Sequence, residues 1–204
     1  MGLRERKKLD TKRQIVQVAN KQFRKYGYDA VTLEQIAATC VMSVRTILRY
    51  FSTKEALALA AEHELLDDFR NRLETRQTDA VSCWREFHEE TVHLMETPIA
   101  RQRMIAIFST PPLLAEFLRI GQAYEDALAG GILEESEDGQ PLQTAVFASI
   151  LVSSATAAFR RWLTSDEAFD MVVLGEIVDR VCEAFDHRRQ AKPQKPRRKR
   201  ATAS

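Results

Sequence analysis

The sequence predicts an all-α fold of about nine helices, a small three-helix head followed by a larger helical body. Three observations indicate this fold class. The 204 residues are 45% hydrophobic, which is enough to form a core. Only 7 glycines and 6 prolines are present, which favours long helices over many short strands. Apolar residues recur at helical spacing through most of the chain, and no stretch alternates as a convincing strand.

The head is predicted from local helix signals. A first helix begins at Asp10, has apolar residues along one face, and ends at Gly27, which can supply the left-handed residue that often ends a helix. The run Thr32-Leu33-Glu34-Gln35 is a capping box that begins a second, short helix. Ser43 is a good N-cap for a third helix, which ends near Phe51. Short helices joined by a tight turn indicate a helix-turn-helix.

The third helix is predicted to have two faces. Its apolar positions form one stripe that should pack on the two preceding helices: Val44, Ile47, Leu48 and Phe51. Its other face should point outward: Arg45, Thr46, Arg49 and Tyr50. The DNA major groove accepts one helix, and an arginine there can bind a guanine through two hydrogen bonds. The hydroxyls can reach phosphates or base edges, and Lys54 adds a phosphate contact from the following helix.

Charge is divided along the chain. Residues 1–54 carry 12 Lys/Arg and 4 Asp/Glu, residues 55–186 carry 10 and 25, and residues 187–204 carry 8 and none. The corresponding net charges are +8, −15 and +8. A basic head on an acidic body predicts that the head binds a polyanion and the body does not.

The remaining helices are predicted from apolar periodicity and helix breakers. A long fourth helix runs from Ser52 to about Arg76 and begins at a second capping box, Ser52-Thr53-Lys54-Glu55. Pro111-Pro112 and Gly130-Gly131 are read as helix breaks or hinges. Later helices are predicted over 79–96, 99–108, 113–128, 140–163 and 166–186. The predicted domains are the head 1–54, the body 55–187, and a basic, Pro-containing, disordered tail 188–204.

Cysteine usage and the N-terminus predict a cytoplasmic protein. Cys40, Cys83 and Cys182 lie far apart in apolar contexts, so they form neither a disulfide framework nor a metal cluster. Residues 1–10 have no apolar core after their charges, which argues against a signal peptide. The most apolar run, 144–159, is rich in Ser, Thr and Ala and is predicted to be too short and too polar to span a bilayer.

Residues 11–57 resemble the N-terminal domain of the TetR (tetracycline-repressor) family of transcriptional regulators. The landmarks that carry the resemblance keep the family's order and spacing: Ile15, Ala19, Phe23, Gly27, Tyr28, Thr32, Ile36, Ala37, Ser43, Thr46, Tyr50, Phe51, Lys54, Glu55 and Leu57. The resemblance implies a homodimer that binds a palindromic operator, usually as a repressor. It also implies a helical C-terminal domain that binds a small molecule and dimerises through its last two helices. The family's DNA-contacting positions correspond to Thr32, Val44, Arg45, Thr46, Leu48, Tyr50 and Lys54.

Three positions depart from the family pattern. Val41 stands where the family usually has Gly in the turn, and a β-branched residue is ill suited to positive φ. The turn is therefore either built differently or strained. Val44-Arg45 replaces Lys-Gly, which moves the positive charge by one position. Leu48 replaces an aromatic residue that faces DNA, so it is either part of the apolar stripe or a contact to a thymine methyl group.

The body is predicted to enclose an apolar cavity with a few polar groups. Its aromatic and Met content favours a hydrophobic effector. The candidate lining residues, any of which could instead be ordinary core, are Trp84, Phe87, Met95, Met104, Phe108, Phe117, Tyr124 and Phe147.

The dimer interface is predicted on the last two helices, where small residues on one face branched or aromatic residues on the other. Burial within one subunit is the alternative. The candidates are Val146, Ile150, Ser153, Ser154, Ala157, Phe169, Val173, Ile177, Val181 and Phe185.

Two other functions were weighed. Residues 88–93 (HEETVH) resemble a zinc-protease motif, but the two histidines are five apart and lie on different helix faces. Glu86, Glu90 and His93 share a face and could hold a metal, although solvated charges are more common. No catalytic triad or phosphate-binding Gly-rich loop is legible, so neither an enzyme nor a cofactor is predicted. The other alternative is a DNA-coating protein without an effector, which would bind random duplex almost as well as an operator.

Overall fold

The computed structural model describes residues 2–92, 97–136, 140–165 and 175–183. Within these ranges the chain is helical and contains no strand, which confirms the predicted all-α fold. The helices are α1 Leu3–Tyr26, α2 Leu33–Cys40, α3 Val44–Tyr50, α4 Lys54–Ala58, α5 Ala60–Thr75, α6 Ala80–Val92, α7 Pro98–Ser109, α8 Pro111–Glu134, α9 Pro141–Leu163 and α10, residues 175–183.

Helices α1 to α3 pack around one small core. Ile15, Ile36 and Ile47 are fully buried at its centre, one from each helix. The starts of α2 and α3 are fixed by side-chain caps, as predicted. The Gln35 N–H donates to Thr32 Oγ1 at 3.3 Å while the Thr32 N–H donates to Gln35 Oε1 at 2.9 Å. These contacts complete the three-helix head before the chain enters the body.

Two predicted helix starts need correction. Helix α1 begins at Leu3 rather than Asp10, because the Gly2 N–H donates to the Glu5 carboxylate at 3.0 Å and caps an earlier turn. Helix α4 is capped by Thr53 rather than Ser52, and Thr53 Oγ1 accepts from the Ala56 N–H at 3.0 Å.

The predicted long fourth helix is two helices, with a break at Leu59. This residue has φ −98° and ψ 26°, outside helical geometry. The break has a packing cause. Leu57 is buried in the head core, whereas Leu59 is buried in a separate core formed mainly with α7 and α8. A local change of direction allows two leucines only two residues apart to enter different cores.

The body is formed by α5 to α10. Phe69, Trp84 and Leu128 lie at the centre of its larger core, to which α9 adds Leu151 and α10 adds Val178. Helices α7 and α8 are bent by 103° relative to each other. Thr110, with φ −112° and ψ 105°, lies at this bend, and Pro111 begins the next helix there.

The pair Gly130-Gly131 lies inside α8 and is not a helix break, so this prediction was wrong. A Cβ on Gly131 would lie 3.1 Å from Ala80 Cβ and 3.3 Å from Leu73 Cδ2. A Cβ on Gly130 would meet nothing within 4 Å. Gly131 therefore permits the close approach of α8 to α5 and α6.

Helix α9 is longer than the apolar run recognised in the sequence. Helix α9 is long and apolar enough to cross a membrane. The bent pair α7–α8 would also be long and apolar enough if it formed one span. This is weak evidence for a membrane span, because the core helix of a soluble protein can be equally long and apolar. Helix α9 contributes Ala148, Leu151 and Val152 to the body core.

Candidate DNA-binding surface and ligand cavity

The outward face of α3 carries the two predicted arginines. Arg45 and Arg49 are exposed, whereas Ile47 between them is fully buried in the head core. These arginines line one shallow depression together with Ser43, Thr46 and Leu48. Ser43 Oγ accepts from the Thr46 N–H at 3.1 Å, and the two hydroxyl oxygens lie 2.9 Å apart. The N-terminus of α3 is thus fixed, with its basic side chains pointing to solvent.

Leu48 does not belong to the buried stripe, so that part of the sequence interpretation was wrong. Its side chain is 42% exposed and lines the depression beside the arginines. The stripe assumed that the helix continues through Phe51, but α3 ends at Tyr50 and Phe51 is extended, with φ −136° and ψ 116°. Phe51 enters the core from this extended segment. Leu48 is exposed because it lies about 100° around α3 from Ile47, the residue that is fully buried in the core.

Tyr50 is only partly on the outward face. It is half-buried and packs against the head core, and the Arg49 guanidinium carbon lies 5.5 Å from the centroid of its ring. Tyr50 therefore helps to position Arg49, which the sequence pattern did not reveal.

Lys54 is held by an aromatic ring that sequence reasoning named only as a family landmark. Its Nζ lies 4.0 Å from the centroid of the Tyr28 ring, and the Tyr28 hydroxyl donates to Glu55 Oε1 at 2.5 Å. Burial, followed by this hydrogen bond, raises the pKa of Tyr28. Burial alone would raise the pKa of Glu55, but the hydrogen bonds it accepts and the Lys54 charge lower it overall. Glu55 is therefore ionised, and it holds the Tyr28 ring against which Lys54 lies.

The turn before α3 is built with Val41 in the left-handed conformation. Val41 has φ 56° and ψ 46°, and no other non-glycine residue in the described part of the chain has positive φ. Its N–H donates to the Ala38 carbonyl at 3.2 Å, and the Met42 N–H donates to the Ala37 carbonyl at 2.9 Å. Of the two alternatives, the strained turn is the one present. The Val41 side chain is 92% exposed, so no packing compensates for the strain.

The body contains a small, mostly apolar cavity of about 90 Å³ between α5, α6, α8 and α9. Four predicted residues line it: Trp84, Phe87, Phe117 and Tyr124. Three others lie outside the lining: Met104 and Phe108, which pack between α7 and α8, and Phe147, which belongs to the main body core. Met95 lies outside the described residues.

Two polar residues of the cavity wall, Glu62 and His88, were missed as ligand-binding candidates. Glu62 is 6% exposed and its Oε2 accepts from Arg103 Nη2 at 2.5 Å. Burial raises the pKa of Glu62, and the Arg103 charge opposes that rise. The same Arg103 nitrogen donates to the Ala58 carbonyl at 3.1 Å, at the end of α4. A buried carboxylate in the cavity is thus linked to the helix that begins with Lys54.

His88 is partly buried as a residue, but its Nε2 is shielded from solvent. Burial lowers the pKa of His88 to about 4, so its ring is neutral at physiological pH. The residue had been considered as part of a metal motif. No group of three His, Cys, Asp or Glu suited to a metal occurs among the residues described, and His93 lies outside them. Glu90 is instead paired with Arg72 at 2.7 Å.

The predicted dimer surface is partly exposed. Val146, Ile150 and Ile177 are 46%, 37% and 40% exposed, so they are not buried within one subunit. Val181 packs against the body core. Ser153 and Ala157 are exposed, and Ser154 is half-buried. Phe169, Val173 and Phe185 lie outside the described residues.

Comparison with known families finds two matching segments. Residues 15–61 match the family described as bacterial regulatory proteins, tetR family. Residues 86–186 match the family described as MftR C-terminal domain.

Two curated relatives are transcriptional regulators. The HTH-type transcriptional regulator TcmR of Streptomyces glaucescens is 31% identical over 138 residues, which is 63% of this chain and 61% of TcmR. The chain thus spans less than two thirds of TcmR. MftR of Mycobacterium tuberculosis, a transcriptional regulator assigned to mycofactocin biosynthesis, is 27% identical over 198 residues, covering 91% of this chain and 96% of MftR.

Solved structures share the fold. The repressor FadR of Thermus thermophilus, in complex with lauroyl-CoA, has a TM-score of 0.57 at 17% identity, covering 95% of this chain and all of that one. The fatty acid degradation regulator FadR of Bacillus halodurans has a TM-score of 0.51 at 15% identity, covering 84% and 94%. At these identities the likeness supports the fold alone.

Proposed function

The chain belongs to the TetR family of transcriptional regulators, and from this premise we propose that it is a homodimeric repressor released from a palindromic operator by a small hydrophobic effector. DNA binding and transcription regulation follow from the family. The palindrome, the effector and the direction of regulation are the proposal. The relatives named above are regulators rather than enzymes, and proteins of the family are soluble and cytoplasmic, so we propose the same for this chain.

The observation that carries the DNA-binding proposal is the geometry of α3. Arg45 and Arg49 are exposed on a helix whose opposite side is anchored by the fully buried Ile47. A helix held in this way can enter the major groove without first giving up contacts to its own core. In the groove, either arginine can donate two hydrogen bonds to a guanine. Thr46 and Leu48 lie beside them, and Leu48 is placed to contact a thymine methyl group.

Four further predicted contacts position the helix rather than read sequence. Lys54, braced on Tyr28, is proposed to bind a phosphate, and Thr32 at the start of α2 another. Val44 and Tyr50 are both half-buried, so they can contact the sugar-phosphate backbone of DNA only at the edge of the outward face of α3. This division of roles predicts that removing a base-reading side chain and removing a phosphate-binding one will weaken DNA binding in different ways.

The test begins with selection of bound sequences from a random DNA pool, and the selected operator should be a palindrome. Binding of variants to this operator is then measured. Arg45→Ala and Arg49→Ala should each weaken operator binding by about 1–3 kcal/mol while changing random-duplex binding much less. Lys54→Ala should weaken both duplexes alike and reduce the salt dependence. Arg70→Ala, at an exposed arginine of the body, is the matched control and should change neither. Equal losses on operator and random DNA for the two α3 variants would contradict base reading.

The effector proposal depends on the cavity between α5, α6, α8 and α9. Its walls are chiefly aromatic and aliphatic, which suits an apolar molecule. At about 90 Å³ it is smaller than the roughly 300–1,000 Å³ usual for drug-sized ligands. A larger effector must therefore open it by moving the surrounding helices. Lauroyl-CoA in the Thermus FadR complex is one example of a ligand with a long apolar part in this fold.

The route from cavity to head runs through Glu62 and Arg103. An effector that displaces Glu62 changes the position of Arg103, which also donates to the Ala58 carbonyl of α4. Helix α4 begins with Lys54 and adds Leu57 to the head core. We propose that this chain of contacts lets the effector change the spacing of the two heads on the operator.

A DNA-coating protein without an effector is the alternative. The charge pattern of the chain fits a coating protein as well as a specific repressor, since residues 188–204 add eight positive charges to those of the head. A specific repressor should prefer its operator over random duplex by about 10³ or more, whereas a coating protein should show little preference. Removing residues 188–204 should lower nonspecific affinity and leave the fold and the dimer intact. A truncated protein that unfolds or becomes monomeric would show a structural role for this segment.

A further inference from the structure

Two residues that line the cavity each have a buried nitrogen with no hydrogen-bond partner among the residues that the structure describes. The nitrogens are Trp84 Nε1 and His88 Nε2, and both are shielded from solvent. Trp84 and His88 are one helical turn apart on α6 and both line the cavity. Their rings meet edge to face, with centroids 4.1 Å apart and planes at 79°. The two unpaired nitrogens therefore belong to one small region of the wall.

Three other polar side chains of the same wall already have partners. Glu62 accepts from Arg103, and the Thr91 and Thr156 hydroxyls donate to the carbonyls of Phe87 and Val152 in their own helices. Buried polar atoms are nearly always hydrogen-bonded in folded proteins, so these two nitrogens are available to bond a polar group of a bound molecule.

The chemistry of the two nitrogens restricts that group. The indole N–H of Trp84 can only donate a hydrogen bond. The ring of His88 is neutral, so one of its nitrogens accepts and the other donates. A hydroxyl group satisfies both nitrogens in either tautomer of His88: its oxygen accepts from Trp84, and it either donates its proton to an unprotonated His88 Nε2 or accepts a second hydrogen bond from a protonated one. A carboxylate would bring a second negative charge into the small cavity that the buried Glu62 already lines.

We propose that the cavity selects an uncharged, largely apolar molecule with one hydroxyl group, bound between Trp84 Nε1 and His88 Nε2. This inference rests on the proposed function only in taking the cavity as the effector site. The aromatic lining holds the apolar part of the molecule, and the two nitrogens fix the orientation of its polar end.

The test uses three single-ring probes that suit a small cavity: phenol, toluene and benzoate. The chain has two tryptophans, so an NMR spectrum of ¹⁵N-labelled full-length protein should show two indole N–H signals. Trp84→Phe identifies the signal of Trp84, and the remaining signal reports whether the variant is folded. We expect phenol to move the Trp84 signal more than toluene does, and benzoate to bind at least about tenfold more weakly than phenol.

The decisive quantity is the ratio of the dissociation constants of toluene and phenol, because it cancels changes in cavity size. This ratio should fall about tenfold in Trp84→Phe and again in His88→Leu, since each variant removes one hydrogen bond to the hydroxyl. Phe87→Leu alters the same wall without removing a polar atom and should leave the ratio unchanged. An unchanged ratio in both polar variants, tighter binding of benzoate than of phenol, or no binding of any probe to the folded protein would overturn the proposal.

This result is independent of DNA. If the ratio changes as expected but no operator can be selected, the hydroxyl site stands and the regulatory function fails. If an operator is selected and released by some other molecule while the ratio stays constant, the regulatory function stands and the hydroxyl site fails.

Discussion

The head and the body place their polar groups in opposite ways. In the head, Thr32, Ser43 and Thr53 sit at helix starts and accept backbone hydrogen bonds, while the arginines of α3 face solvent. In the body, Glu62 is buried with a single partner, and nitrogens of Trp84 and His88 are buried with none among the described residues. The polar groups that cap the helices of the head thus have partners within the head, whereas two buried nitrogens of the body have none among the described residues, which supports our proposal that the body binds a ligand.

The contact between Glu62 and Arg103 is expected to have the largest effect on stability. Arg103→Met leaves the buried Glu62 carboxylate without its partner and should lower the free energy of unfolding by about 3 kcal/mol. The raised pKa of Glu62 should rise further in this variant, so the loss should be smaller at pH 5 than at pH 8. Urea unfolding at fixed protein concentration measures both values.

The control for this contact is Arg70→Met. Arg70 pairs with Asp67 at 3.9 Å, where both side chains are largely exposed, so its loss should cost well under 1 kcal/mol. The double variant Glu62→Gln/Arg103→Met should recover part of the stability, because it removes the charge that lacks a partner. If Arg103→Met cost no more than Arg70→Met, the body would not depend on the buried pair.

His88 should make the body sensitive to acid. Its pKa of about 4 in the folded chain lies below the ordinary histidine value of about 6.5, so the unfolded chain binds more protons between these values. Stability from the neutral ring is full above pH 6.5 and falls as the pH drops toward 4. Between pH 7 and pH 5 the wild type should lose about 2 kcal/mol through this group.

His88→Leu is the variant that isolates this effect. It should be less sensitive to pH over the same interval, whatever its stability at pH 7. The carboxylates are the same in both proteins, so the difference between the two profiles of unfolding free energy against pH is due to position 88. Parallel profiles would mean that the ring is protonated in the folded protein or is solvated.

The sequence predicted the head better than the body because the signals of the head are local. Thr32 and Gln35 are three residues apart and cap the same helix, so their spacing alone identifies it. Glu62 and Arg103 are 41 residues apart, and no spacing reveals that they meet. Leu48 is predicted on the wrong face because helical spacing gives a broad apolar stripe and does not show which of its residues points into the core, which in the structure is Ile47. His88 was considered only for a metal site, since burial against Trp84 cannot be read from a helical pattern.

The two adjacent glycines of α8 should respond differently to the same substitution. Gly130→Ala adds a methyl group in open space and should stabilise the helix by about 0.5–1 kcal/mol. Gly131→Ala places its methyl group 3.1 Å from Ala80 Cβ and should cost about 1 kcal/mol or more through overpacking. Thermal or urea unfolding of the pair gives the difference directly. Equal stabilisation in both would show that α8 can move away from α6 at no cost.

Val41 is the one place where the head, complete in its hydrogen bonds, is expected to be strained. A β-branched residue in the left-handed region costs about 1–2 kcal/mol, and its exposed side chain returns little. Val41→Gly should relieve the strain but also loosen the unfolded chain, for a net gain of about 1 kcal/mol. Val41→Ala keeps a Cβ without the branch, so its stability should fall between those of wild type and Val41→Gly. Val41→Gly could instead leave the free energy of unfolding unchanged and lower the operator affinity. The valine would then serve to hold α3 against α2 for DNA binding, and the head, like the body, would contain a destabilising feature that supports function.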